Sequence, residues 1–146
     1  MSSRRRRERG AATVEFVWLT VLLLVPLVYV LLSVFEAQRA AFAVSSASQA
    51  AGRAFVRAPD VATAQVRADQ AARVALADHG VTGAVIDVVC LPTPADCLLP
   101  GSSVRVVVAV DQPLPLLPTV LGDDLGVISV DATHTHAYGT FREGRR

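Results

Sequence analysis

Phe16 to Phe35 reads FVWLTVLLLVPLVYVLLSVF, with 17 apolar residues in 20 and no charge. At a rise of 1.5 Å per residue such a stretch covers about 30 Å as a helix, the thickness of a bilayer hydrocarbon core. The reading is a membrane-spanning helix. Pro26 near its middle would break a helix in water, but in lipid neighbouring groups satisfy the freed carbonyl. Trp18 and Tyr29 lie towards the two ends, where amphipathic rings settle at membrane interfaces. With this segment set aside, the apolar share of the other 126 residues falls from the 52% of the whole chain to about 47%, an ordinary globular value. The excess hydrophobicity is therefore one segment, followed by enough chain for a small domain with a modest core.

The flanks give a direction. Arg4, Arg5, Arg6, Arg7 and Arg9 precede the span, and Arg39 alone falls within five residues after it. The positive-inside rule then places the N-terminus in the cytoplasm and the rest outside the cell membrane, as a single-pass protein. The net charge of +1 hides this asymmetry: five Arg and one Glu give residues 1–10 a charge of +4, which leaves −3 for the other 136. A total charge this close to zero argues against a general nucleic-acid binder. A cleavable secretory signal has a shorter apolar core with a small-residue site close behind it. Here Ala41-Phe42-Ala43 comes only after Glu36 and Arg39. A twin-arginine signal read at Ser3-Arg4-Arg5 would lead into too hydrophobic a stretch. All 14 basic residues are arginine.

At the mouth of the apolar run stands Gly10-Ala11-Ala12-Thr13-Val14-Glu15-Phe16. A glycine followed by four residues and then Glu-Phe or Glu-Tyr resembles the prepilin-peptidase site of type IV pilins. Arg9-Gly10-Ala11-Ala12-Thr13-Val14-Glu15-Phe16 is most similar to the N-terminus of the TadE-like minor pilins of tight-adherence (Flp) systems, R-G-x-x-x-V-E-F. The resemblance implies a precursor cut after Gly10, with Ala11 as the first mature residue and with Glu15 and Phe16 serving assembly. It also implies prepilin peptidase, other pilin subunits, pilus-assembly membrane proteins and the lipid bilayer as partners. Catalysis would belong to the peptidase, so the chain is expected to be no enzyme and to carry no cofactor. Beyond this region only length and layout agree. The chain is far longer than the major pilins of such systems, which argues for a minor subunit or pseudopilin. Its first mature residue would be Ala11 rather than the Phe or Met of many type IV pilins.

Electrostatics offers a reason for the motif. A free α-amine at Ala11, with a pKa near ~8, would sit one helical turn from Glu15, so two charges costly to bury alone offset each other. In a filament the same carboxylate could pair with a neighbouring subunit's amine. The alternative is an uncleaved signal anchor with Glu15 in the headgroup zone, whose exported part binds a partner.

After the span, Glu36 to Ala58 has nine alanines and no proline, so the helix is expected to continue outward. Pro59-Asp60 ends it, with Asp60 as cap of a second helix over Val61–His79 that stops at His79-Gly80. Val61, Ala64, Ala68, Ala72, Ala75 and Leu76 recur at helical spacing. That shallow alanine face fits another helix, in this chain or a neighbouring subunit, or the chain's own sheet. From Val81 the period changes, and Val81–Cys90, Val104–Asp111 and Val127–Tyr138 read as strands. Val104, Val106, Val108 and Val110 share one face, with Arg105 and Asp111 on the other. Gln112–Gly126 contains three prolines that forbid a central strand, and reads as an ordered loop. Its Pro118–Leu125 part either touches a partner or covers the core. The expectation is an α+β fold: leader 1–10, membrane or assembly helix 11–35, helical region 36–79, small antiparallel sheet domain 80–141 of about three strands, and basic tail 142–146.

Cys90 and Cys97 bracket six residues, and in an oxidising compartment a structural disulfide is expected. A redox pair usually has a tighter C-x-x-C spacing. His134-Thr135-His136 would place both imidazoles on one strand face, where His79 or an aspartate could complete a metal set. No helical H-x-x-x-H and no general base accompanies them, so no metal is expected. No nucleophile elbow, phosphate loop or dinucleotide fingerprint occurs. Asp123-Asp124 reads as a solvated turn, and Arg142, Arg145 and Arg146 as an exposed basic end.

Overall fold

The computed structural model describes residues 4–95, 97–113, 126–141 and 143, with side chains from residue 12 onward. Two helices, α1 (Arg4–Val56) and α2 (Val61–Asp78), precede three strands, β1 (Val85–Leu91), β2 (Ser103–Pro113) and β3 (Val127–Ala137). The strands form one antiparallel sheet in the order β1-β2-β3, so the fold is α+β. The chain divides into two compact units, Met1–Phe35 and Glu36–Arg146. Pro118–Leu125, Asp123, Asp124, Arg142, Arg145 and Arg146 lie outside the described residues.

In the first unit α1 passes through Pro26 without interruption. From Ala12 to Phe35 every residue is exposed except the half-buried Tyr29 and Ser33. The hydroxyls of Thr20 and Ser33 donate to the carbonyls of Phe16 and Tyr29, at 2.8 and 2.9 Å. Both donors are thereby satisfied within the helix, which removes most of their cost in an apolar medium.

In the second unit α1 changes character. Ala40, Ala43, Val44, Ala47, Ala51 and Phe55 are buried at helical spacing. The corresponding face of α2 is Ala64, Ala68, Ala72, Ala75 and Leu76. The alanine face is thus used within this chain. Asp60 caps α2 as expected: the Thr63 amide donates to its Oδ1 at 2.8 Å and the Thr63 hydroxyl to its Oδ2 at 2.9 Å. These bonds favour the carboxylate and hold the Asp60 pKa below its ordinary value. At the other end Gly80, with φ +66°, closes a Schellman motif. Its amide donates to the Ala77 carbonyl (2.9 Å) and that of Val81 to the Leu76 carbonyl (3.0 Å), while Val81 and Leu76 are both buried. A Cβ placed on Gly80 would come within 3.7 Å of the Arg39 guanidinium. The end of α2 therefore returns alongside the start of this unit, and the two helices form a hairpin about residues 57–60.

Two strand boundaries differ from the sequence reading by more than one residue. Val81 is spent on the helix cap and Gly83 (φ +77°) turns the chain, so β1 starts at Val85. Conversely β2 runs on to Pro113, although it is the central strand. β1 reaches only as far as Ala109; from Val110 to Pro113 the pairing strand among the described residues is β3. Pro113 therefore occupies an edge-like position, where a missing N–H is tolerated. Val104, Val106, Val108 and Val110 are buried as a single face and join the helical alanines, Leu98 and Tyr138 in one core.

Candidate functional site

The Gly10–Ala11 peptide bond lies inside α1, which begins at Arg4. Glu15 and Phe16 are exposed at the head of the uncovered apolar stretch, Phe16 by 69%. Positions 11 and 15 are one turn apart on that helix, the spacing at which side chains meet. From Phe16 to Phe35 large apolar side chains face outward on every side of the helix. A helix hydrophobic all round needs lipid or other helices about it. Within Ala12–Val56 this helix is long and apolar enough to cross a membrane, and is compatible with a single-pass anchor.

Cys90, near the end of β1, is bonded to Cys97 in the β1–β2 connection, with Cα atoms 5.0 Å apart. Both are buried beside Leu98 in the core. The Ser102 hydroxyl donates to the Cys97 carbonyl at 3.0 Å, and the Tyr138 amide to the Ser102 carbonyl at 2.8 Å. The bridge fastens the connection to the buried end of the sheet, a structural role.

His134 and His136 share a face as the alternation requires, with ring centroids 6.1 Å apart. It is the core-facing side, since their partners across the sheet are Val106 and Val104. His136 lies against α1 at Gly52: a Cβ there would clash with its Cδ2 and fall 2.7 Å from its Nε2. Its Nε2 is buried with no hydrogen-bond partner among the described residues. Burial, then the charges of His134 and Arg53, push the His136 pKa below its ordinary value. The ring is therefore a neutral packing element. His79 caps α2, and among the described residues no three His, Cys, Asp or Glu side chains are grouped to hold a metal. Sequence reasoning missed Gly52. Its signal was a lone glycine inside an alanine-rich helical run, which usually marks a close approach.

Between α1 and α2 runs an open groove of about 570 Å³ with an alanine floor at Ala50, Ala54, Ala71 and Ala75. It holds no nucleophile and no base beyond Asp78 at its rim. Compared with known proteins, the chain matches no family model, no curated relative and no solved structure. Its own residues carry the functional reading.

Proposed function

We propose that this chain is a TadE-like minor pilin or pseudopilin. It is made as a single-span precursor with its N-terminus in the cytoplasm, cut after Gly10 by prepilin peptidase, and assembled through its N-terminal helix in a Flp-type pilus or related secretion apparatus. The observation that carries this reading is the register of Gly10, Glu15 and Phe16 at the head of an apolar helix exposed on all sides. An anchor needs the apolar helix alone, whereas the glycine and the carboxylate at this spacing serve processing and charge pairing. The disulfide fits an exported domain, because such bonds persist in oxidising compartments. Other pilin subunits, pilus-assembly membrane proteins and lipid are its partners, and catalysis rests with the peptidase.

N-terminal sequencing of membrane-extracted protein, from cells with active prepilin peptidase, tests the reading. Mature chains beginning at Ala11 support it, together with loss of processing in Gly10→Ala. An intact Met1–Gly10 leader would leave an uncleaved signal-anchored envelope protein. Glu15→Gln and Glu15→Leu should insert normally and fail in assembly; normal filaments from both would remove the charge-pairing role.

A further inference from the structure

We infer that the groove between α1 and α2 is closed by α2 of a second copy of this chain, in an antiparallel two-fold contact that sets Arg67 of each copy against Asp78 of the other. This goes beyond the proposed function, and both faces of the contact lie within the second unit.

The charges of α2 single out the surface. The helix carries four, of which Asp69 and Arg73 are joined to each other at 2.7 Å. Arg67 and Asp78 have no ion-pair partner among the described residues, and Arg67 acts on Asp60 only as a charge at a distance. Both are exposed, and both line the groove. Positions 67 and 78 lie three turns apart, about 16 Å along the helix. One groove therefore carries a free cation towards one end and a free anion towards the other.

Between these charges the surface is apolar. Val74 is 62% exposed, although a valine side chain gains from burial. Beside it the half-buried Ala71 and the buried Ala75 form the floor, with Ala50 and Ala54 supplied by α1. Alanines leave space for a further helix to approach, and Val74 is a knob that no hole in its own chain receives.

Reversal supplies the hole. When α2 is laid antiparallel on a copy of itself with Arg67 opposite Asp78, Val74 comes to lie opposite Ala71 of the second copy. The two-fold axis repeats the contact, so the second copy's Val74 meets Ala71 in turn. Each end then holds a pair of opposite charge. A parallel contact in register would set Arg67 against Arg67 and Asp78 against Asp78, which repel. The patch is thus complementary to itself only when reversed, the condition for a closed isologous dimer. Two helical hairpins that meet in this way form a four-helix contact, with each α2 lying on the groove of the other copy.

Sedimentation equilibrium of the full-length protein in detergent micelles tests this, at low ionic strength, where exposed charge pairs are least screened. Wild type is expected to show a concentration-dependent dimer. R67D and D78R should each weaken it about tenfold, because each places two like-charged pairs across the axis. An equimolar mixture of R67D and D78R should regain the wild-type affinity, since in the mixed dimer both pairs are again of opposite charge. V74E should abolish the dimer, whereas V66E, on an exposed valine of α2 that does not line the groove, should leave it intact. A wild type that stays monomeric overturns the inference. So does a dimer indifferent to R67D, D78R and V74E, which places self-association on another surface, and so does a mixture that binds no better than either variant alone.

Discussion

The two halves of α1 use the same backbone for opposite ends. Between Val14 and Phe35 its side chains are large and uncovered, with Leu23 exposed by 68%; between Ala40 and Phe55 a stripe of mostly small ones is sealed, with Ala47 at 0%. Burial of a large apolar side chain contributes about 1.5–3 kcal/mol. The half that would gain most from burial is therefore the half this chain does not bury. In the second half alanines let backbones approach closely, and a small core results from many modest contacts. Apolar bulk left bare over a whole helix marks a surface meant for another medium, whereas apolar smallness at regular spacing marks a packed interior.

Arginine substitution should separate the two halves most strongly. Leu23→Arg is expected to raise the cost of insertion by about 3 kcal/mol, roughly a hundredfold, read as loss of alkali-resistant membrane association. Ala41→Arg, also exposed but in the second half, should change stability by about 0.5 kcal/mol at most. Equal behaviour of the two would mean that both halves face water.

Next in size comes the bridge in the second unit. Cys90→Ser with Cys97→Ser should lower the stability of the second unit by about 2–3 kcal/mol, from loop entropy, in denaturant unfolding. Membrane association, a property of the first half, should remain as in wild type.

Smaller again is the Gly52 contact. In Gly52→Ala the new Cβ drives the His136 ring aside, which costs about 1–3 kcal/mol, and the better helix propensity of alanine returns about 1 kcal/mol. Adding His136→Ser should relieve the clash, so the double variant melts above Gly52→Ala combined additively with His136→Ser. Strict additivity would show that the ring does not press on α1.

The smallest effect is in pH. Because the folded-state pKa of His136 lies below its ordinary 6.5, the native state binds fewer protons than the unfolded chain as pH falls through that value. The stability associated with a neutral ring is present above pH 6.5 and lost towards acid. His136→Gln should flatten the melting temperature between pH 7 and 5. An unchanged slope would assign the acid sensitivity to other groups.

The sequence made the fold legible wherever a period was strong. The alternating valines of β2, the Asp60 cap and the His79-Gly80 stop all recur in the structure. The beginning of β1 was not legible, because Val81 has strand propensity but is drawn into the Schellman motif by Leu76. Nor was the strand position of Pro113, which depends on where β1 stops pairing and so on three-dimensional register. At the candidate site the spacing of Gly10, Glu15 and Phe16 is a local pattern of the sequence, to which the structure adds only that Glu15 and Phe16 are exposed on α1. The Gly52–His136 contact joins positions 84 residues apart, and nothing local announces which partner a lone helical glycine will meet.

One consequence follows from α1 beginning at Arg4 and running through Gly10. In the precursor the amides of Ala11 to Val14 have helical carbonyls of the leader four residues before them as acceptors. The proposed cleavage after Gly10 would take those carbonyls away and make this turn the positive pole of the helix macrodipole. Glu15, otherwise an acid in mid-helix, would then stand just beyond three unsatisfied amides, those of Ala12, Thr13 and Val14, and the cationic terminus formed from the nitrogen of Ala11. Removal of those ten residues would thus turn an ordinary stretch of helix into an end that attracts a carboxylate, whether its own or a neighbour's.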